Sequence, residues 1–350
     1  MNRIDSLRKK VDELNEQLLD LLNERAKIAL EIGKEKQRIG KPIYDPIREE
    51  EILTRLIELN PGPLPNSSLI MIFREIFKAC RMLQEQQTDS QLLIKKTKEK
   101  EQTTITVKGV TIGGDTPTHI FGPCAIESRT QLEQVAEALV KTGCRLLRGG
   151  AYKPRTSPHR FQGLGLEGLQ LMKEITEAFG LVSVVEVMDE RTLQEALPYI
   201  DIIQIGARNM YNYPLLKAIG QIDKPVILKR GLSATIEELK LAAEYILQAG
   251  NPNVILCERG IRTYETATRN TLDISAIPVL KNETHLPVIV DISHAAGRKD
   301  ILLPLARASM AAGADGIMAE VHPNPQFALS DANQQLSLEE FYAFMEGLKE

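Results

Sequence analysis

"PVILKRGLSATIEELKLAAEYILQAGNPNVILCERG", residues 225 to 260, holds two short apolar runs, PVILKRG (225–231) and NVILCERG (253–260), with an amphipathic segment between them. Near-continuous Val/Ile/Leu runs joined by helical crossovers read as parallel strands covered on both faces. The same grammar extends in both directions: HIFGPC (119–124), RLLRGG (145–150), VSVVEV (182–187), DIIQIGA (201–207), PVIVDISH (287–294) and GIMAEVHP (316–323). Eight such runs in about 250 residues predict an α/β fold of the (β/α)8 barrel type. An open doubly wound sheet is the alternative, but no Gly-x-Gly-x-x-Gly follows the first run, which disfavours a dinucleotide version. "TITVKGVTIGGD" before the first run reads as a hairpin placed to plug the barrel bottom.

The first 88 residues follow a different rule. Ile4, Leu7, Val11, Leu14, Leu18 and Leu21 keep a 3-4-3-4 spacing, the a and d positions of a heptad. Gly40-Lys41-Pro42 breaks that helix. A second helix is expected from Ile47 to Leu59, and a third, capped by Ser67 or Ser68, through Gln87. A first helix about 55 Å long, at ~1.5 Å per residue, cannot bury its seam on two shorter neighbours, so it asks for a partner chain. "DSQLLIKKTKEKEQT", residues 89 to 103, is polar and lysine-rich and reads as a linker. The expected organisation is an all-helical domain over 1–88, a linker over 89–103 and a barrel over 104–350.

Bulk composition narrows the function. The chain has 350 residues, a net charge of -4 and a charged fraction of 26%, so it exerts no global pull on nucleic acid or anionic lipid. No apolar run reaches the ~18 residues that span a bilayer. The charge-dense N-terminus is no signal peptide. The four cysteines form no Cys-x-x-Cys pair, which fits a reducing cytoplasm.

Charge is nevertheless concentrated where the strand runs end. Arg148 and Lys153 close the second run, Arg208 follows the fourth, Lys229 ends the fifth and Arg259 the sixth. In a barrel these ends converge on one mouth, and cations gathered there need anions. If Lys229 faces inward, so does Ile227; if His294 faces inward, Ile292 and Val290 should too. A second set is Cys124, His294, Glu320 and Asp331. One sulfur, one nitrogen and two carboxylates at a common mouth suit a catalytic divalent metal with an open position.

"FGPC", "LRGGAYKPRTS", "QIGAR", "ILKRG", "CERG", "DISH" and "AEVHPNP…LSDANQQL" resemble, in this order, the 3-deoxy-D-arabino-heptulosonate 7-phosphate (DAHP) synthases, across residues 104 to 350. The resemblance implies condensation of phosphoenolpyruvate with erythrose 4-phosphate, the first step toward chorismate and the aromatic amino acids. It implies a divalent metal, Mn2+ first and Co2+, Zn2+, Fe2+ or Cd2+ as alternatives, on Cys124, His294, Glu320 and Asp331. It assigns Arg148, Lys153, Arg208, Lys229 and Arg259 to phosphoenolpyruvate, with Lys153 also catalytic. Lys153, Pro154, Arg155 and Thr156 correspond to the segment that reaches erythrose 4-phosphate. Lys153, Glu186 and a water are the candidates for the proton of the attacking water. The related synthase that uses arabinose 5-phosphate is the rival; it carries Ala-Asn-Arg-Ser after the lysine, where this chain has Pro154-Arg155-Thr156.

Arg25 interrupts the heptad seam at the a position shared by Ile4, Val11, Leu18 and Ile32. Lys36 shares its face, eleven residues on. Arg8 lies on another face, about 25 Å along the axis, so it can join Arg25 on one small ligand only from an antiparallel partner. "LLNERAKIALEIGKEK" and "PIYDPIREEEIL" resemble the all-helical chorismate mutases. The matching residues are Arg8, Arg25, Lys36, Asp45, Arg48, Glu49 and Gln84, and Cys80 stands where many relatives place Ser. The resemblance implies chorismate as substrate, with Arg25, Lys36, Glu49 and Gln84 catalytic and Arg8 supplied by the other protomer. A homodimer through the helices, a homotetramer overall and inhibition by prephenate are expected. In the alternative reading the helices serve only regulation and dimerisation.

Overall fold

The computed structural model of the chain describes residues 2–89, 92–153 and 159–349. It divides into two compact units, at Leu92 and Leu93. The first is three helices: α1 (Arg3–Arg38), α2 (Pro46–Leu59) and α3 (Asn66–Asp89). Asp45 caps α2 by accepting from the Arg48 amide at 3.2 Å. The third helix starts at Asn66, earlier than a Ser67 or Ser68 cap allows, and the Pro65 carbonyl accepts from Ser68 and Leu69. Leu53, Phe77, Cys80 and Gln84 are buried between the helices. The heptad seam is not. Ile4, Leu7, Val11, Leu14, Leu18 and Leu21 remain 54–62% exposed, so among the described residues the apolar seam along the first half of α1 stays largely uncovered.

In the second unit the quoted stretch folds as strand, helix, strand. Val226–Lys229 and Val254–Glu258 pair in parallel and helix Ile236–Gln248 lies between them in sequence. Thr235 and Glu238 start that helix reciprocally, each side chain taking the other's backbone N–H. The full set is a hairpin, β1 (Ile105–Val107) and β2 (Val110–Ile112), then eight parallel strands. These are β3 (Ile120–Gly122), β4 (Leu146–Arg148), β5 (Val182–Val187), β6 (Ile202–Ile205), β7 (Val226–Lys229), β8 (Val254–Glu258), β9 (Val288–Asp291) and β10 (Gly316–Glu320). They close in sequence order, β10 pairing with β3.

Lys108 and Gly109 both take positive φ, the two-residue turn whose twist matches its strands. Ile105, Val110 and Ile112 of the hairpin pack with Ile120, Leu146, Val182, Ile202, Ile227, Ile255, Ile289 and Met318 inside the barrel. The hairpin therefore plugs the end opposite the charged mouth. Strand parity holds on β7, where Ile227 and Lys229 share the inner face. On β9 it departs from expectation. Ile289, not Val290, belongs to the inner cluster. The strand stops at Asp291 and His294 sits in a short helix, Ile292–Ala296, so a period of two no longer carries across to it.

The segment read as a linker is bound to the barrel from Leu93 onward. Glu244, buried on its helix, accepts from the backbone amides of Leu93 and Ile94 at 3.0 Å each. Ile94 is 1% exposed, and Thr103 donates to the His285 carbonyl. Lysine-rich composition hides this, because the backbone and one isoleucine make the attachment. Among the described residues no helix is long and apolar enough to cross a membrane.

Candidate active sites

The C-terminal ends of the barrel strands surround a cavity of about 190 Å3. Arg148, Lys153, Arg208, Lys229 and Arg259 all line it, together with His294 and Asp331. Position follows from the local fold. Arg148 is the last residue of β4 and Lys229 the last of β7; Arg259 follows β8, and Arg208 lies in the 3-10 turn Ala207–Asn209. Pro154, Arg155 and Thr156 lie outside the described residues. The walls also include Glu186, Gln204, Arg262, Arg269 and Asn270. Arg262 and Arg269 stand in the long loop after β8 rather than at a strand end, so the strand-end rule misses them.

Cys124, His294, Glu320 and Asp331 meet beside these cations. Cys124 Sγ and one oxygen each of Glu320 and Asp331 lie within 4.8 Å of one another. His294 Nε2 stands 3.5 Å from Glu320 Oε1 and 3.9 Å from Asp331 Oδ2. Glu320 is fully buried; its Oε2 accepts from Gln334 at 2.6 Å. Its Oε1 has no hydrogen-bond partner among the described residues, although Arg148 Nη2 lies 3.2 Å away out of alignment. Arg148 Nε and Nη1 are unsatisfied too. Buried polar atoms are rarely orphaned, so both groups point to occupants: a cation for Glu320 Oε1 and an anion for Arg148.

The electrostatics agree. Burial, then Glu320, pushes the Cys124 thiol up to about 12, while Lys153 Nζ at 3.2 Å from the sulfur pulls the other way. A thiol this reluctant to ionise becomes a ligand only beside a strong cation. Burial would raise the Asp331 carboxyl, but Arg269, His294 and Lys153 outweigh it and bring it down to about 2. Sulfur, imidazole and two ionised carboxylates form a donor set that fits a divalent transition metal.

Asp291 joins the site although the pattern of charged strand ends does not single it out. It pairs with Lys229 and accepts from His294 Nδ1 at 2.8 Å. Burial alone would raise its pKa, yet His294 and Lys229 hold it well below the usual carboxylate range. Its signal in the sequence is parity: in "PVIVD" it falls on the same face as Ile289.

The helical unit has a pocket of about 110 Å3, lined by Arg25, Lys36, Asp45, Arg48, Glu49 and Gln84 among others. Arg25 Nη1 donates to Cys80 Sγ at 3.0 Å and the guanidinium lies over the Phe77 ring, 5.2 Å from its centroid. Lys36 Nζ donates to the Ile43 carbonyl at 2.9 Å and lies 3.7 Å from Asp45. Glu49 pairs with Arg81, which stacks on Tyr44. Gln84 donates to the Ala29 carbonyl. Arg8 is elsewhere on α1, its side chain 76% exposed and 4.0 Å from Asp5. Six of the seven expected residues are thus together in one chain, as the helix geometry requires, and Arg8 is not.

Comparison with known proteins gives the same division. Residues 93–350 match the DAHP synthetase I family, and residues 7–85 match Chorismate mutase type II. A Thermotoga maritima phospho-2-dehydro-3-deoxyheptonate aldolase is 52% identical over 249 residues, 71% of this chain and 74% of that protein. A Bradyrhizobium diazoefficiens 2-dehydro-3-deoxyphosphooctonate aldolase is 34% identical over 68% of this chain and 90% of its own length. The crystal structure of a phospho-2-dehydro-3-deoxyheptonate aldolase (DAHP synthase) from Thermotoga maritima superposes with a TM-score of 0.71, at 49% identity over 73% of this chain and 75% of that one. A closed parallel barrel with this mouth, a family match across it and a second match across the three helices lead to one assignment: the chain belongs to the DAHP synthetase I family and carries an N-terminal chorismate mutase type II domain.

Proposed function

We propose that the chain is a bifunctional enzyme of aromatic biosynthesis, working in a reducing cytoplasm. Its barrel condenses phosphoenolpyruvate with erythrose 4-phosphate to DAHP and phosphate, and its helices rearrange chorismate to prephenate. The observation that carries the first reading is the mouth itself, where buried Arg148 keeps unsatisfied N–H groups beside the cluster of Cys124, Glu320 and Asp331, with His294 Nε2 3.5 Å from Glu320. Arg148, Lys153, Arg208, Lys229 and Arg259 bind the phosphate and carboxylate of phosphoenolpyruvate. Arginine forks suit planar oxyanions and lysine acts as a compact charge. Lys153 to Thr156 receive the erythrose phosphate. The 52% relative, named for the heptonate, favours the four-carbon sugar over the arabinose 5-phosphate rival.

Cys124, His294, Glu320 and Asp331 would hold a divalent metal, Mn2+ first, which when bound supplies Lewis acidity to the aldehyde. The protein aligns the two anions so that C3 of phosphoenolpyruvate forms its bond to the aldehyde carbon. Water then adds at C2 and phosphate leaves with the C2 oxygen. Glu186 also lines the cavity and is the protein group placed to take the water's proton, while Lys153 stays an ammonium and holds the anions.

In the helical pocket the reaction is pericyclic and needs no proton transfer, only electrostatics and a compact substrate pose. Arg25, Arg48 and the partner's copy of Arg8 contact carboxylates and nearby polar groups, with Asp45 beside them. Lys36 and Gln84 stabilise the ether oxygen as its bond breaks, and Glu49 holds the ring hydroxyl. The uncovered seam of α1 supports a homodimer, within a homotetramer, and prephenate or chorismate bound in this pocket inhibits the barrel.

The test is activity of the purified protein on both substrate sets, with and without chelator. Chelator should abolish heptulosonate formation, Mn2+ should restore it, and prephenate formation should not change. Heptulosonate formation by metal-free protein would overturn the barrel mechanism.

A further inference from the structure

Asp291 ends β9 with no exposed surface, and its two oxygens serve three donors. Oδ1 accepts the backbone N–H of His294 at 3.0 Å, capping the short helix that carries that histidine. Oδ2 accepts from His294 Nδ1 at 2.8 Å and also from Lys229 Nζ, at the end of β7. One carboxylate oxygen therefore touches a residue of the metal-ligand set and a residue of the anion-binding set.

We propose that Asp291 is a positioning residue that prepares His294 as a metal ligand and Lys229 as an anion ligand at the same time. This deepens the divalent-metal reading of the barrel mouth and rests on it. A carboxylate can only accept, so the Nδ1 it faces carries the imidazole proton. A ligating imidazole is the neutral ring, and with Nδ1 protonated its lone pair is on Nε2, on the side of Glu320 Oε1 and Asp331 Oδ2. Carboxylates placed this way fix the tautomer and ring orientation of a ligating histidine and raise its basicity. The cap on Oδ1 fixes the backbone as well, so the imidazole is held at two points. Lys229 has a different need. Its side chain is 5% exposed, in a cavity also lined by Arg148, Arg208 and Arg259. Before a substrate anion arrives it requires a counter-charge, which Asp291 supplies without leaving the strand ends.

Three measurements on the full-length chain test the proposal. In metal-free wild type, ring 15N NMR of His294, assigned by the signal lost in His294→Asn, should show Nδ1–H with bare Nε2. Equilibrium dialysis should show Mn2+ bound ten- to a hundredfold more weakly by Asp291→Asn than by wild type. Asp291→Ala should lower the melting temperature of the barrel, and adding Lys229→Met should raise it again by removing the stranded ammonium. The opposite tautomer, equal Mn2+ affinities in wild type and Asp291→Asn, or a double variant melting no higher than Asp291→Ala would each overturn it. The parent reading fails in a different way: wild type itself takes up no Mn2+. The tautomer and the melting temperatures then still decide what Asp291 does to His294 and Lys229.

Discussion

Replacing Gly122 with alanine should cripple the barrel reaction and spare the mutase reaction. Gly122 closes β3 with φ at 147°, two residues before Cys124. A Cβ there would stand 2.0 Å from the Arg148 carbonyl oxygen and 2.9 Å from the Arg148 amide nitrogen. A carbon–oxygen contact needs about 3.3 Å, so the strands must part by roughly 1.3 Å. The atoms met are backbone, and no rotamer change relieves them. Strain at positive φ costs ~1–3 kcal/mol and overpacking a further ~1–3 kcal/mol, so ~2–6 kcal/mol in all. The displaced peptide carries Arg148, whose guanidinium lies beside Glu320 in the mouth. A misplacement of about 1 Å can cost ~100-fold in rate. Steady-state synthase kinetics on protein shown folded by circular dichroism should therefore fall at least ~100-fold in kcat/KM. Chorismate consumption should be unchanged, since the helices form a separate unit. Gly143→Ala is the control. It also has positive φ, 78°, but its Cβ would meet nothing within 4 Å, so it should lose ~1 kcal/mol of stability and no activity. A Gly122→Ala enzyme within threefold of wild type would refute the reasoning.

Other outcomes follow from the same chemistry. Arg155→Ala should raise the KM for erythrose 4-phosphate ten- to a hundredfold, the scale of a charge-assisted contact of ~1.5–3 kcal/mol, and leave that for phosphoenolpyruvate nearly unchanged. Equal effects on both would mean general electrostatics. Mixing inactive Arg8→Ala and Arg25→Ala chains should restore some mutase activity, because one mixed site is intact; no recovery rules out a shared site. A chain lacking residues 1–90 should keep synthase activity and lose its response to prephenate, and persistent inhibition would place the effector site on the barrel. His119 is held down to about 4 by burial. Its neutral form is the one the fold favours, so its contribution is complete above the unfolded pKa near ~6.5 and is lost as pH falls toward ~4. The stability difference between wild type and His119→Gln in urea should shrink by ~1–3 kcal/mol from pH 7 to pH 4.5. A pH-independent difference would contradict that assignment.

Much of the fold is legible because its signals are local. The eight apolar runs, the turn at Lys108-Gly109 and the heptad of α1 depend on residues a few positions apart, where strand and helix periods act directly. The five cations and, among the metal-ligand candidates, Cys124, His294 and Glu320 are visible because each sits on or within a few residues of a strand end, and strand ends meet in a barrel; Asp331 lies eleven residues beyond β10. The rule fails where regular structure stops. Strand alternation places Val290 and Ile292 inward with His294, but a helix begins at Ile292 and resets the period. Arg262 and Arg269 join the mouth from an irregular loop with no period to read. The segment 93–103 looked free because its composition is polar, while its hold on the barrel comes from backbone amides reaching Glu244 and His285.

The sequence by itself determined the kind of object each half is. Alternating strand and crossover runs determined a closed parallel barrel with charged strand ends. An apolar seam longer than its neighbours can cover determined a first helix whose apolar face its own chain leaves exposed. Only the tertiary structure decided which charges face which. Asp291 meets Lys229 across 62 positions of chain, and Cys124 comes within 3.4 Å of Asp331 across 207. Side-chain direction along a strand follows from local periodicity. A contact between strands depends on barrel closure, strand tilt and loop path, all of which arise from packing the whole core at once.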